Sequence, residues 1–357
     1  MQFRLGLYLK IFYILLLTVS AAAQSGRIKT PETPQPTPRP RVVYLPTQIN
    51  SQIPNPQATP TTKAETDDDE VIRVDSALVP IPVSVTDAAG RAITTLKLED
   101  FELMIEGKSA EISELTRSDS PVRLALLFDN SSSVVQAREF EKKAAIRFFK
   151  RVLRPTKDLA ALYSVSTGTQ LEQPLTKDSD QLVRAIENFP MPIGATALLD
   201  GIIKAAEYLR EVEGRRVIVI VSDGEDTISD ATFEQTVRTV QRANCQVYVV
   251  KTTEFENYKK TGIRGGNANI RTLAAERRLQ EIALQTGGAV YSPIDERELD
   301  AAFTQISAEL SQQYILNYYP EEPGSPNEFR AISLKVKKRE NLTVRTRKGY
   351  FVPKISK

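Results

Sequence analysis

The central half of this chain reads as α/β: a doubly wound, mostly parallel sheet with helices on both faces, Rossmann-like, joined to a small discontinuous β-rich module drawn from the two flanks. Three observations predict it. The runs LALLF at 124–128 and VIVIV at 217–221 contain no polar side chain, as expected of strands buried on both faces. Between such runs lie stretches of helical period, such as Phe140, Ala144, Phe148 and Val152 at i, i+4, i+8 and i+12. On either side the period falls to two, through Val79, Ile81, Val83 and Val85 before the sheet, and Ile332, Leu334 and Val336, then Leu342 and Val344, after it.

Taken in order, residues 1–23 (MQFRLGLYLKIFYILLLTVSAAA) carry Arg4 and Lys10 ahead of a short apolar run, then an A-x-A site at Ala21–Ala23. This is a secretory signal peptide, too short in its apolar part for the ~20 residues of a spanning helix. It predicts an exported protein, periplasmic or secreted, with no membrane insertion once the signal is removed. Residues 24–70, rich in Pro, Thr and Gln and closing on the acidic run DDDE, lack the large apolar groups that would repay ordering, and are expected to form a disordered linker. A β-rich segment follows over 71–120. Pro80 and Pro82 cannot donate to a ladder, which places that strand at a sheet edge. FELMIEGKSAEISEL then gives two short strands around a Glu106-Gly107 turn.

The α/β region spans 121–312. Strands are expected at LALLF, LAALYSV, RVIVIVS, CQVYVV and GGAVYS, and helices near Ala137–Val152 and at DQLVRAIENF, TALLDGIIKAAEYL, FEQTVRTVQRA, LAAERRLQEIALQ and RELDAAFTQISAEL. Lys142, Lys143, Arg147 and Lys150 read as the solvated outer face of the first helix. Residues 256–269, ENYKKTGIRGGNAN, read as a polar loop that either contacts a partner or simply flexes. A C-terminal β-rich segment, 313–357, is expected to pair with 71–120, since each is too small to stand alone.

Composition narrows the chemistry. The chain holds 47 Lys and Arg against 45 Asp and Glu, a net charge of +2, so no broad field recruits nucleic acid. It contains no histidine, which removes Ser-His-Asp triads, Cys-His pairs and His-bearing zinc sites. The one cysteine, Cys245, sits in an apolar run and reads as a buried hydrophobe. The sequons at Asn130 and Asn341 read as chance.

In doubly wound sheets, ligands bind beyond the carboxyl ends of the strands. There LALLF runs into Asp129, Ser131 and Ser133 as D-x-S-x-S; GATALLD places Thr196 ahead of a helix; and RVIVIVS runs into Asp223-Gly224. Hydroxyls and carboxylates with neither imidazole nor thiolate suit a hard divalent cation: Mg²⁺ first, with Mn²⁺ and Ca²⁺ in the same class. Alternation on a tight loop lets Asp129, Ser131 and Ser133 converge while Asn130 and Ser132 point elsewhere and matter less. Gly194 and Gly224 are expected to let the backbone pass close to the ion. Glu225 and Asp226 read as solvated loop charges.

These residues resemble the metal-ion-dependent adhesion site of the von Willebrand factor type A domain: D-x-S-x-S, a threonine in a G-x-T segment, then an aspartate followed by glycine. All five positions are present in order. The flanks also look similar to a group of exported bacterial von Willebrand A-related proteins. The resemblance implies coordination by the hydroxyls of Ser131 and Ser133, with Thr196 direct or through water, and Asp129 and Asp223 acting largely through water and hydrogen bonds. It implies an adhesion-type module with a partner protein presenting Asp or Glu to the ion, and no enzyme. Two other readings stand beside it. One is a cell-envelope scaffold whose metal site is not essential. The other is a Mg²⁺-dependent aspartyl-phosphate phosphatase with Asp129 as nucleophile, although such enzymes use D-x-D and the second acid here is Ser131.

Overall fold

The computed structural model describes residues 78–352, except 118–119, 136, 266–268, 323 and 338–340. The signal peptide, the linker and the first seven residues of the β-rich segment, 71–77, lie outside the described residues. Four strands come first: β1 (Val79–Thr86), β2 (Phe101–Ile105), β3 (Lys108–Ala110) and β4 (Glu114–Arg117). β2 and β3 form the expected hairpin, with positive φ at both Glu106 and Gly107, as a two-residue hairpin turn requires.

The α/β region then runs β5 (Val122–Asp129), α1 (Arg138–Val152), β6 (Leu159–Val165), β7 (Thr169–Thr176), α2 (Ser179–Glu187), α3 (Leu198–Arg210), β8 (Arg215–Ser222), α4 (Phe233–Arg242), β9 (Cys245–Lys251), α5 (Thr253–Thr261), α6 (Ile270–Thr286), β10 (Val290–Tyr291) and α7 (Glu296–Gln312). The sheet order is β10-β9-β8-β5-β6-β7, parallel throughout except for β7. Because successive side chains leave opposite faces of a strand, the apolar runs feed two cores. Leu124, Leu126 and Phe128 pack with α1, α2 and α7, while Ala125 and Leu127 pack with α3, α4 and α6. Phe148 of α1 lies 4.6 Å from Phe303 of α7, ring to ring, and is fully buried. Phe148→Ala should lower the unfolding free energy by about 3–5 kcal/mol, read as a shifted urea midpoint at unchanged slope.

The chain ends with β11 (Tyr314–Tyr318), β12 (Phe329–Val336), β13 (Thr343–Thr346) and β14 (Gly349–Phe351). They interleave with the first four strands as two antiparallel sheets, β13-β1-β11-β4 and β14-β12-β2-β3, over one shared core that includes Ile81, Val83, Leu103, Leu316 and Ile332.

Two expectations need correction, and two strands were not anticipated. β1 is an interior strand rather than an edge: β11 flanks Val79–Val83 on one side and β13 flanks Val83–Thr86 on the other. The prolines occupy the half that β13 does not reach, so the missing N–H groups break no ladder. Their carbonyls are taken instead by Arg347 Nη2 and Thr346 Oγ1, each at 2.8 Å. The expected loop 256–269 is helical as far as Thr261. α5 forms because Phe255, one residue before that stretch, stacks on Phe140 with centroids 3.7 Å apart. Finally, β7 and β11 lack a sequence signal. TQLEQPLT is a polar edge strand with irregular pairing, and YILNY follows α7 after a single residue, with no turn to mark it.

Candidate metal centre

β5 and β8 are adjacent and parallel, so Asp129, the last residue of β5, and Asp223, just past the end of β8, reach the same edge of the sheet. Backbone hydrogen bonds lash three loops together there. Ser132 N donates to Gly194 O at 3.1 Å, and Ile193 N to Asn130 O at 3.1 Å, joining the first loop to the one that carries Thr196. Thr227 N donates to Thr196 O at 2.9 Å, and Thr196 N to Thr227 Oγ1 at 3.0 Å, joining that loop to the third. Asp129, Ser131, Thr196 and Asp223 are buried, while Ser133 is exposed at the mouth.

Within the first loop Ser131 N donates to Asp129 Oδ1 at 2.9 Å, and the hydroxyls of Ser131 and Ser133 lie 2.8 Å apart. The two hydroxyls are hydrogen bonded to each other, and octahedral Mg²⁺, with oxygens at about 2.1 Å, keeps neighbouring ligands about 3 Å apart, a spacing that this pair would match. Among the described residues no three Asp, Glu, Cys or His side chains gather as a metal-binding group. A cation here would therefore depend on hydroxyls as much as on carboxylates.

The electrostatics fit a cation. Burial, and then the charge of Asp223, push the Asp129 carboxyl up to about 6. Burial, with Asp223 next, lifts Glu256 of α5 to about 7. Glu141 of α1 is fully buried, and burial together with Asp129, Asp223 and Glu256 raises it well above the usual carboxylate range. Neither of its oxygens has a hydrogen-bond partner among the described residues, and the Thr252 hydroxyl faces it without completing a bond. Lys260 stands 3.7 Å from Glu256, but none of the described residues makes an ion pair with Asp129, Glu141 or Asp223. Positive charge is what the pocket lacks.

Several positioning residues carry little signal in the sequence. Ser222, fully buried, donates to Asp129 Oδ2 at 2.5 Å and accepts from Gly224 N at 2.9 Å, so it orients the first carboxylate; its only cue is a serine closing an apolar strand. Asn130 does point away, but it is structurally engaged: its side-chain Oδ1 accepts from Arg138 Nη1, and Arg138 Nη2 donates to Phe189 O at 2.9 Å. Asp226 is no free loop charge; it accepts from Leu198 N at 2.8 Å and Leu199 N at 3.2 Å, capping α3 just after Thr196. The glycines serve packing: a Cβ on Gly194 would meet Thr167 Oγ1 at 2.2 Å, and one on Gly224 would meet Leu279 Cδ1 at 2.6 Å, both at positive φ.

No curated protein matches the chain in sequence. Among solved structures, the PilB minor pilin of Streptococcus sanguinis is similar at 14% identity, covering 54% of this chain and 62% of the pilin, with a TM-score of 0.41. This chain thus matches less than two thirds of that pilin. BatB of Bacteroides thetaiotaomicron, described as a conserved hypothetical protein, is similar at 19% identity over 53% of this chain and 98% of BatB, with a TM-score of 0.42. A von Willebrand factor type A protein of Catenulispora acidiphila is similar at 11% identity over 79% and 76%, with a TM-score of 0.44. The sequence profile of the von Willebrand factor type A domain matches residues 124–305, from within β5 to within α7. That stretch is half of the chain and holds all three loops of the site, and the chain belongs to the von Willebrand factor type A domain family.

Proposed function

We propose that the protein is an exported, adhesion-type binding module in which Asp129, Ser131, Ser133, Thr196 and Asp223 hold a divalent cation, Mg²⁺ before Mn²⁺ or Ca²⁺, and which engages an Asp or Glu side chain of a partner protein at that point. The observation that carries this reading is the pair of hydroxyls 2.8 Å apart at the sheet edge that also carries two buried strand-end carboxylates, Asp129 and Asp223, which lack an ion pair among the described residues. When bound, the cation would balance those carboxylates and offer an electrophilic position to an incoming carboxylate. Ser131 and Ser133 would supply neutral donors, and Ser222 would hold Asp129 in place through its 2.5 Å hydrogen bond. Val135, Ile193 and Ile228, all exposed, belong to the three loops and offer an apolar rim for the rest of the partner surface. Export rests on the signal-peptide pattern of residues 1–23; among the described residues no helix is long and apolar enough to cross a membrane.

The reading is of a binding module rather than an enzyme. Both Asp129 oxygens already accept hydrogen bonds, from Ser131 N and the Ser222 hydroxyl, and the chain has no histidine to act as general base. Titration of Mn²⁺ into chelator-treated protein, followed by electron paramagnetic resonance, should give one bound ion per chain, weakened at least about tenfold in Ser131→Ala. Unchanged affinity in that variant would remove the site. Hydrolysis of p-nitrophenyl phosphate that disappears in Asp129→Asn would instead favour the phosphatase.

A further inference from the structure

A cavity of about 410 Å³ lies at the opposite edge of the central sheet, where the strands begin and the β sandwich covers them. Such an opening is small-molecule sized. Its charge is unusual. Three guanidinium groups, Arg215 and Arg216 at the start of β8 and Arg347 after β13, border it, and among the described residues no Asp or Glu contributes to its lining.

Arg347 and Arg216 are held there by neutral oxygens. Arg347 donates to the Asn244 side chain and, at 2.8 Å, to Pro80 O, while its Nε is buried without a hydrogen-bond partner among the described residues. The Tyr350 ring lies 5.6 Å from its guanidinium carbon. Burial pulls the Arg347 pKa down to about 10, against a partial opposing effect from Tyr350. Arg216 donates from Nε to Val212 O and from Nη1 to Ala243 O, both at 2.9 Å. Carbonyl oxygens orient a guanidinium without neutralising it, and neither arginine makes an ion pair among the described residues. The other walls include Ile315, Tyr350 and Phe351, which are apolar over most of their surface, and the amides of Gln246 and Gln285.

We propose that this cavity is a binding site for a small organic anion, whose carboxylate or phosphate group sits against Arg216 and Arg347 and whose apolar body lies against Ile315 and Phe351. A planar guanidinium pairs with either group through two parallel hydrogen bonds. The site is separate from the metal centre. Arg216 and Ser222 lie six residues apart on β8, about 20 Å along the strand, so the proposal stands or falls independently of the cation.

The test titrates benzoate, phenyl phosphate and the neutral isostere benzamide into the full chain by isothermal calorimetry at low salt. Saturable one-to-one binding of benzoate or phenyl phosphate, at least about tenfold tighter than benzamide, is expected, and the better of the two anions identifies the headgroup. Arg216→Met and Arg347→Met should each weaken it about tenfold or more, Arg347→Lys less so, and Asp129→Ala should leave it unchanged. If Arg347→Met does not fold, Arg216→Met and the anion-to-amide ratio in the wild type still decide. Benzamide binding as tightly as the anions, no anion binding below 10 mM, or affinities unaltered in the arginine variants would overturn the proposal.

Discussion

Mg²⁺ added at about a hundred times its dissociation constant should raise the melting temperature of the wild-type protein by about 5–10 °C, and Asp129→Ala should abolish the rise. The size follows from linkage: a ligand at that excess stabilises the folded state by about 2.7 kcal/mol, and each kcal/mol moves the transition of a domain this size by about 2–4 °C. Asp129 is the sensitive position because it accepts from both the Ser131 backbone and the Ser222 hydroxyl, so its loss removes a charge and frees two donors. Differential scanning calorimetry with and without chelator makes the comparison, and equal shifts in wild type and variant would rule the site out.

The second large effect is expected without metal. Asp129 at about 6, Glu256 at about 7, and Glu141, which burial raises well above its usual range, all sit above the value near 4 that such groups have in an unfolded chain. The folded, metal-free protein therefore binds more protons than the unfolded one between about pH 4 and pH 7, and its stability falls as pH rises through that window. The elevation of Asp129 alone corresponds to about 3 kcal/mol in full. Chelated protein should melt lower at pH 7.5 than at pH 5, and saturating Mg²⁺ should flatten the slope. Glu141→Gln should raise the chelated protein's stability at pH 7.5 and leave it nearly unchanged at pH 4, read as a urea midpoint that rises only at the higher pH. A loss of stability at pH 7.5 would show that the Glu141 carboxylate is satisfied in the fold.

The features legible in the sequence share a physical cause. Strands buried on both faces must be apolar throughout, so LALLF and VIVIV identify themselves, and their carboxyl ends are where a doubly wound sheet exposes polar groups. That logic brings Asp129, Ser131, Ser133, Thr196 and Asp223 to one edge. It does not extend to residues whose importance comes from what they touch. Glu141 occupies a helix in which eight of fifteen residues are charged, and nothing local distinguishes the carboxylate that turns inward. Asp226 looks like a loop acid until α3 is seen to begin beneath it. β7 and the proline half of β1 were obscure for a related reason: an edge defined by neighbours from distant sequence has no local pattern.

The interleaved sandwich also sets a mechanical path. β1 is paired with β11 and β13, so the first described strand and two strands that follow α7 meet in one sheet, and the whole region from β5 to α7 is an excursion between them. Tension applied between Val79 in β1 and Thr346 in β13 would be borne first by the Val79–Val83 and Val83–Thr86 ladders, leaving the three loops around the cation outside the line of force until those ladders part.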